Sequence, residues 1–220
     1  RSQRSGLVPA AAPTVARAFA PGPPPFGDRR RRRIGLLGGS FNPAHAGHLD
    51  ISRQAIKALN LDQVWWLVSP QNPLKSTAAM APLAARLAQA RALARDRRLV
   101  VTDLERRLGA TRTALTLVTL ARRYPGLRFV WLMGADNLAE IPRWWRWNRI
   151  FHAARVAVLD RSPYSYGALA GAAARRHAQV RTRRPSAIWF RLPPVWTYVA
   201  IRRHSASATA LRAKSASAPV

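Results

Sequence analysis

An α/β fold with a doubly wound parallel sheet is what this sequence predicts, and three observations predict it. Short apolar runs of strand character alternate with stretches of ten or more residues that have helical character. No apolar run approaches the roughly 18 residues that a membrane helix needs, so the runs belong to a core. The first of them leads straight into a glycine pair and a turn, "IGLLGGSFNPAHAGH", where a parallel sheet presents its loops to ligands. Right-handed crossovers place helices on both faces of such a sheet, a Rossmann-like arrangement.

The elements follow in order. "RIGLLG" (33–38) reads as a buried strand and "LDISRQAIKALN" (49–60) as an amphipathic helix. "QVWWLVSP" (63–70) is a second strand, ended by Pro70. "PLAARLAQARALARD" (82–96) is a helix with Pro82 in its first turn. "RLVVTDLE" (98–105) is a strand, "TALTLVTLARRY" (113–124) a helix and "LRFVWLMG" (127–134) a strand. "RWWRWNRIF" (143–151) reads as a short helix and "ARVAVLD" (154–160) as another strand. The apolar runs "AIWFRL" and "WTYVAI" come next, then a short helix from about Ser207. There is no internal repeat of the solenoid kind.

A chain of 220 residues with 48% hydrophobic residues and eight tryptophans has room for one domain with a full core. Three regions are expected: a disordered, basic, Pro/Arg-rich tail over 1–33, a folded domain over 34–213, and a flexible end over 214–220. The first carries "APGPPPFGDRRRRR", with eight arginines, one acid (Asp28) and no apolar periodicity. It reads as an RNA-binding arm, as a segment of transit-peptide composition, or as sequence translated from an upstream start.

The chain has no cysteine, which excludes disulfides, thiolate zinc sites and cysteine nucleophiles and suits the cytoplasm as the expected location. Lys+Arg 37 against Asp+Glu 9 gives a net charge of +28. Only Lys57, Lys75 and Lys214 are lysines. Such a charge favours polyanionic partners, although arginine drift in a GC-rich genome produces the same excess and says nothing about fold.

Gly38 and Gly39 have no Cβ, so the backbone there can turn and bring its N–H groups close to a ligand. A helix follows, and its free N–H groups and dipole attract anions. The spacing is neither the dinucleotide fingerprint nor a P-loop, since no Gly-Lys-Ser/Thr follows. His45 and His48, three apart near a helix start, can face one side. A zinc pair would need a further ligand, and His152, His177 and His204 are remote in sequence. Two other readings stand beside it: histidines hydrogen-bonded in a tight turn, and a cradle for phosphate.

The segment "GGSFNPAHAGH" resembles the GG(T/S)F(D/N)P-x-H-x-GH signature of the HxGH nucleotidyltransferases. Three further stretches resemble, in order, motifs of the bacterial nicotinate-nucleotide adenylyltransferase family within that group. They are "VSPQNPLK" after the second strand, "LMGADNLAEIPRWWRW", and the late "SASATALR". Together they span about residues 34–213.

That resemblance implies adenylyl transfer from ATP to nicotinate mononucleotide, giving deamido-NAD and pyrophosphate in NAD biosynthesis. Mg²⁺ would be carried by ATP, with no metal ligand from the protein. The implied catalytic residues are His45, His48, Lys75 and Arg212. ATP would be bound by Gly38, Gly39, Ser40, Phe41, His45, His48, Asp136, Ser207, Thr209 and Arg212. The nicotinate nucleotide would meet Thr113, Trp144 and Trp145. The nucleophile is itself a phosphate oxygen, so positioning and charge neutralisation are the whole task. The implied partners are the two nucleotides. No membrane and no specific nucleic acid are expected, and the chain is expected to be a monomer or small homo-oligomer.

Several positions depart from the family pattern. In "TRTALTL", Arg112 stands where the family has tyrosine and Leu115 where Asp is common. "DRSPYS" replaces an Arg-Pro-Gly turn, moving the proline to Pro163. These departures bear on the acceptor: nicotinamide mononucleotide and phosphopantetheine are its alternatives. A different class, a basic RNA-binding protein on this fold, draws on the charge and the tail but has no RNP-type motif. Removing residues 1–33 removes +7 (eight Arg less Asp28) and tests how far nucleic-acid binding is driven by the tail.

Overall fold

In the computed structural model, residues 32–70, 80–160 and 165–201 are described. The expected tails, and the expected short helix from about Ser207, lie outside them apart from Arg32 and Arg33. Seven strands form one sheet in the order β3-β2-β1-β4-β5-β7-β6, and every pair is parallel. These are β1 (Arg33–Gly39), β2 (Gln63–Val68), β3 (Leu99–Thr102), β4 (Arg128–Gly134), β5 (Arg155–Leu159), β6 (Arg181–Thr182) and β7 (Trp196–Val199). From β1 the chain winds outward through β2 to β3, then returns to lay β4 on the other side of β1. The switch point therefore falls between the carboxyl ends of β1 and β4, where loops diverge and leave a crevice.

Alternation along the strands feeds two cores. Leu36, Trp65, Phe129, Trp131 and Met133 bury on one face. Leu37, Trp66, Val130 and Leu132 bury on the other. The first face is covered by α4 (Thr113–Arg123), α5 (Ala135–Glu140) and α6 (Asn148–Ala153), the second by α1 (Ala46–Leu59) and α2 (Leu83–Leu93). Strands apolar on both sides are what a sheet covered on both sides demands. Asn60 ends α1 in the left-handed conformation, φ 50°, a place more often held by glycine.

The helix expected over 143–151 is shorter. A 3-10 turn occupies Ile141–Arg143, Trp144 is extended, Arg146 has φ +48°, and only Asn148–Ala153 is α-helical. The left-handed turn at Arg146 lets Trp144 and Trp147 pack against the core while Trp145 remains 43% exposed. The strand expected over 98–105 stops at Thr102, and Leu104–Arg107 (α3) is helical. The first four residues of "AIWFRL" fall in a 3-10 segment, Pro185–Phe190, and "WTYVAI" supplies β7. The two short helices α7 (Ser165–Leu169) and α8 (Ala172–Arg176) have no counterpart in the sequence reading.

Candidate active site

Gly38 and Gly39 are the last residues of β1, in register with Leu67 and Val68 of β2. The turn expected of them is made two residues after Gly39, by Phe41 at φ +48°. A left-handed non-glycine residue costs about 1–2 kcal/mol. Offsetting that, the Phe41 ring is buried, stacks on Trp66 at 5.2 Å and lies 4.6 Å from the His48 ring. The side chain of Phe41 is thus core, and only its backbone is placed to meet a ligand. The glycines serve close approach instead. A Cβ on Gly38 would lie 2.3 Å from the Trp131 indole, whereas one on Gly39 would make ordinary contact with Phe41.

The two histidines cap α1 reciprocally. His45 is the N-cap, and its Nδ1 accepts from Gly47 N–H at 3.1 Å. His48, three residues on, accepts from the His45 N–H through its own Nδ1 at 3.2 Å. Imidazoles stand here in the roles that Ser/Thr and Glu usually take in a capping box. A neutral imidazole whose Nδ1 accepts carries its proton on Nε2, so both rings offer Nε2–H donors. Their centroids are 3.9 Å apart. These bonds are those of the tight-turn reading and are compatible with the phosphate reading; among the described residues no group of three or more His, Cys, Asp or Glu could hold a metal ion.

Arg86 ties the turn down, and the sequence reading passed it over. Buried on α2, its guanidinium donates to the carbonyls of Ser40, Ser69, Pro70 and Ala81 at 2.6, 2.8, 3.0 and 2.8 Å. Burial lowers its pKa. Four carbonyls meet most of the five donors of a guanidinium, which explains how the charge is held without a carboxylate at these atoms.

Beyond the strand ends a cavity of about 590 Å³ opens. Gly38, Gly39 and Ser40 form one part of its wall. Thr113, the first residue of α4, and Asp136, in the first turn of α5, form another. Trp144 and Trp145 complete it. The structure thus brings seven of the expected residues around one space. His45, His48 and Phe41 are not in its lining.

Arg112 and Arg143 add charge to the lining, and the Arg112 and Arg146 guanidinium carbons lie 5.4 and 4.7 Å from the Trp145 ring centroid. Glu105, also in the lining, was missed by sequence reasoning. Burial pushes its carboxyl up to about 7, opposed by hydrogen bonds from Thr116 and Ser69. The only signal for it was the scarcity of acids, nine in the whole chain. Lys75, Ser207, Thr209, Arg212 and Pro163 lie outside the described residues. A second cavity, about 480 Å³, has Arg175, Arg181 and Arg183 beside Trp196, and none of the expected site residues lines it.

A family model described as cytidylyltransferase-like matches residues 36–214. A curated protein named probable nicotinate-nucleotide adenylyltransferase, from Gluconobacter oxydans, is 50% identical over 182 residues, covering 82% of this chain and 93% of its own. One of the same name from Cereibacter sphaeroides is 52% identical over 180 residues, covering 82% and 96%. Among solved structures, Plasmodium falciparum nicotinic acid mononucleotide adenylyltransferase complexed with NaAD aligns with a TM-score of 0.60 at 17% identity, over 83% of each chain. That likeness bears on the fold alone.

Proposed function

Since this chain belongs to the cytidylyltransferase-like family, among the nicotinate-nucleotide adenylyltransferases, we infer that it transfers the adenylyl group of ATP to nicotinate mononucleotide. The products are deamido-NAD and pyrophosphate, a step of NAD biosynthesis. A cytoplasmic setting belongs to the same proposal.

In the reaction a phosphate oxygen of the mononucleotide attacks the α-phosphorus of ATP in line. One phosphorus–oxygen bond forms as the bond to the β-phosphate oxygen breaks, and pyrophosphate leaves with the electron pair. No side-chain nucleophile takes part, so the protein positions two anions and meets the charge that moves to the leaving group. Mg²⁺ enters with the substrate, carried on the ATP phosphates.

The observation that carries the mechanism is the reciprocal cap of His45 and His48. It fixes two imidazole donors at the N-terminus of a 14-residue helix, whose dipole itself favours phosphate. We assign both histidines to the α- and β-phosphate oxygens and the backbone of Gly39 to Phe41 to the remainder. Asp136 is assigned to the adenosine side. Thr113, Trp144 and Trp145 are assigned to the pyridine end, where an indole face suits an electron-poor ring. Lys75, Ser207, Thr209 and Arg212 are proposed, on their motifs alone, to bind the triphosphate and the departing pyrophosphate.

The test incubates purified protein with Mg-ATP and either nicotinate or nicotinamide mononucleotide and follows pyrophosphate release. Release with the acid, lost in His48→Ala, is the expected result. A preference for the amide overturns the acceptor and keeps the chemistry, and no release with either overturns the function.

A further inference from the structure

Among the described residues Glu105 is the only buried acid, and none of their cations forms a salt bridge with it. Arg106 and Arg107, its neighbours on α3, turn to Asp103 instead. The carboxyl meets two hydroxyls: Thr116 Oγ1 stands 3.2 Å from Oε1, and the Ser69 hydroxyl also bonds to it. Thr116 Oγ1 is at the same time 3.3 Å from the Ala110 carbonyl and 3.2 Å from that of Arg112.

A hydroxyl has one hydrogen, so Thr116 can donate to only one of these three oxygens at a time. The Arg112 carbonyl already accepts the Leu115 and Thr116 amides at 2.9 and 3.0 Å, so a carboxylate would compete chiefly with the Ala110 carbonyl for that hydrogen. A carboxylic acid brings its own: Glu105 then donates to Thr116 Oγ1, and Thr116 is left to donate to Ala110. The count of donors and acceptors closes best with the proton on Glu105.

We propose that Glu105 is a positioning residue that works as the neutral acid. Its proton completes a chain through Thr116 that holds residues 110–113 against the cavity, and with them Thr111, Arg112 and Thr113. This rests on the adenylyl-transfer reading and extends it, because those residues form the wall assigned to the pyridine nucleotide. Loss of the proton turns the Thr116 hydroxyl toward the carboxylate and adds a negative charge to the lining. The other charges there are Arg112 from α4, Asp136 and Glu140 from α5, and Arg143 from the turn after it, while the end of β2 contributes the neutral Ser69. Ionised Glu105 is a third acidic side chain in this lining, beside Asp136 and Glu140, and it repels an anionic substrate. Burial, which pushes the carboxyl up to about 7, agrees with this role.

The test measures KM for nicotinate mononucleotide at saturating ATP from about pH 6 to about pH 8.5, in the wild type and in E105Q. The amide of E105Q keeps the size of the acid and donates a hydrogen at every pH. Taking the ratio of the two KM values cancels the titration of the substrate. Between about pH 6 and about pH 8 the acid form of the wild type falls from about nine-tenths to about one-tenth, so the ratio rises roughly tenfold. A flat ratio, or an E105Q variant that already binds poorly at about pH 6, overturns the proposal.

Thermal unfolding supplies a readout that needs no turnover. The folded wild type holds a proton that the unfolded chain releases, so its melting temperature falls as pH rises from about 4.5 through about 7, and E105Q lacks that fall. Absence of this difference overturns the proton on Glu105 whatever the activity. If the difference is present and the wild type releases no pyrophosphate, the adenylyl-transfer reading fails and the proton stands.

Discussion

The Arg86 guanidinium donates to the Ser40 carbonyl across 2.6 Å, joining α2 to the turn that follows β1. Three more carbonyls, those of Ser69, Pro70 and Ala81, share the same cation, so one side chain fixes the turn after β1 and the end of β2 together. Arg86→Met strands four partly buried carbonyls and is expected to lower stability by about 1–3 kcal/mol in urea denaturation. Arg86→Lys keeps the charge but not the planar fork and should fall between the two. Both should raise KM for ATP, since the Ser40 turn loosens. An unchanged KM in a folded Arg86→Lys protein would separate this clamp from substrate binding.

The two glycines at the end of β1 should respond differently to alanine. At Gly38 the new methyl lies 2.3 Å from the Trp131 indole, which is itself packed in the core, so Gly38→Ala should cost about 1–3 kcal/mol of stability. At Gly39 the methyl only touches Phe41, so Gly39→Ala should fold with near wild-type stability. It should instead lower kcat/KM by crowding the ligand. Melting temperatures and kcat/KM on the same two samples check both halves.

Arg112 lies in the lining beside Thr113 with its guanidinium near Trp145. If the pyridine nucleotide binds where it is assigned, a guanidinium there favours a carboxylate over a carboxamide. Arg112→Gln should lower kcat/KM for nicotinate mononucleotide by about tenfold and leave the amide substrate nearly unchanged. Equal losses on both substrates would make Arg112 a structural residue only.

His177 sets an acid limit to stability. Its ring is buried, stacks on Phe151 at 4.1 Å and hydrogen-bonds Asn148 at 2.8 Å. Burial first, then the charges of His152 and Arg176, push its pKa from 6.5 down to about 4. The unfolded chain therefore takes up the proton before the folded one does. The contribution of His177 is complete above about pH 6.5 and is lost as pH falls toward about 4. Replacing it as His177→Gln should flatten the melting temperature across that window, and an unaltered acid limb would refute the assignment.

The order of strands and helices could be read along the chain because apolar runs and helical spacing are local signals. The glycine pair, both histidines, Asp136, Thr113 and the tryptophan turn were also legible, since motifs keep their spacing whatever they pack against. The extent of the helix around Trp144–Trp147 was not, because its limit is a left-handed turn at Arg146 that lets the indoles divide between core and surface. Nor was the division of labour at the first strand, where Phe41 rather than either glycine makes the turn and then leaves its ring in the core.

The sequence by itself determined a doubly wound parallel sheet and the identity of the groups at its switch point, because periodicity and motif spacing are properties of neighbouring residues. Only the tertiary structure decided what holds those groups. Arg86 reaches Ser40 over 46 positions, and Glu105 on α3 meets Thr116 on α4 and Ser69 just past β2. One arginine among 34, or one glutamate beside two arginines, has no local signature. Its role arises from burial, which removes water as a competing partner and leaves each donor and acceptor to be matched within the fold.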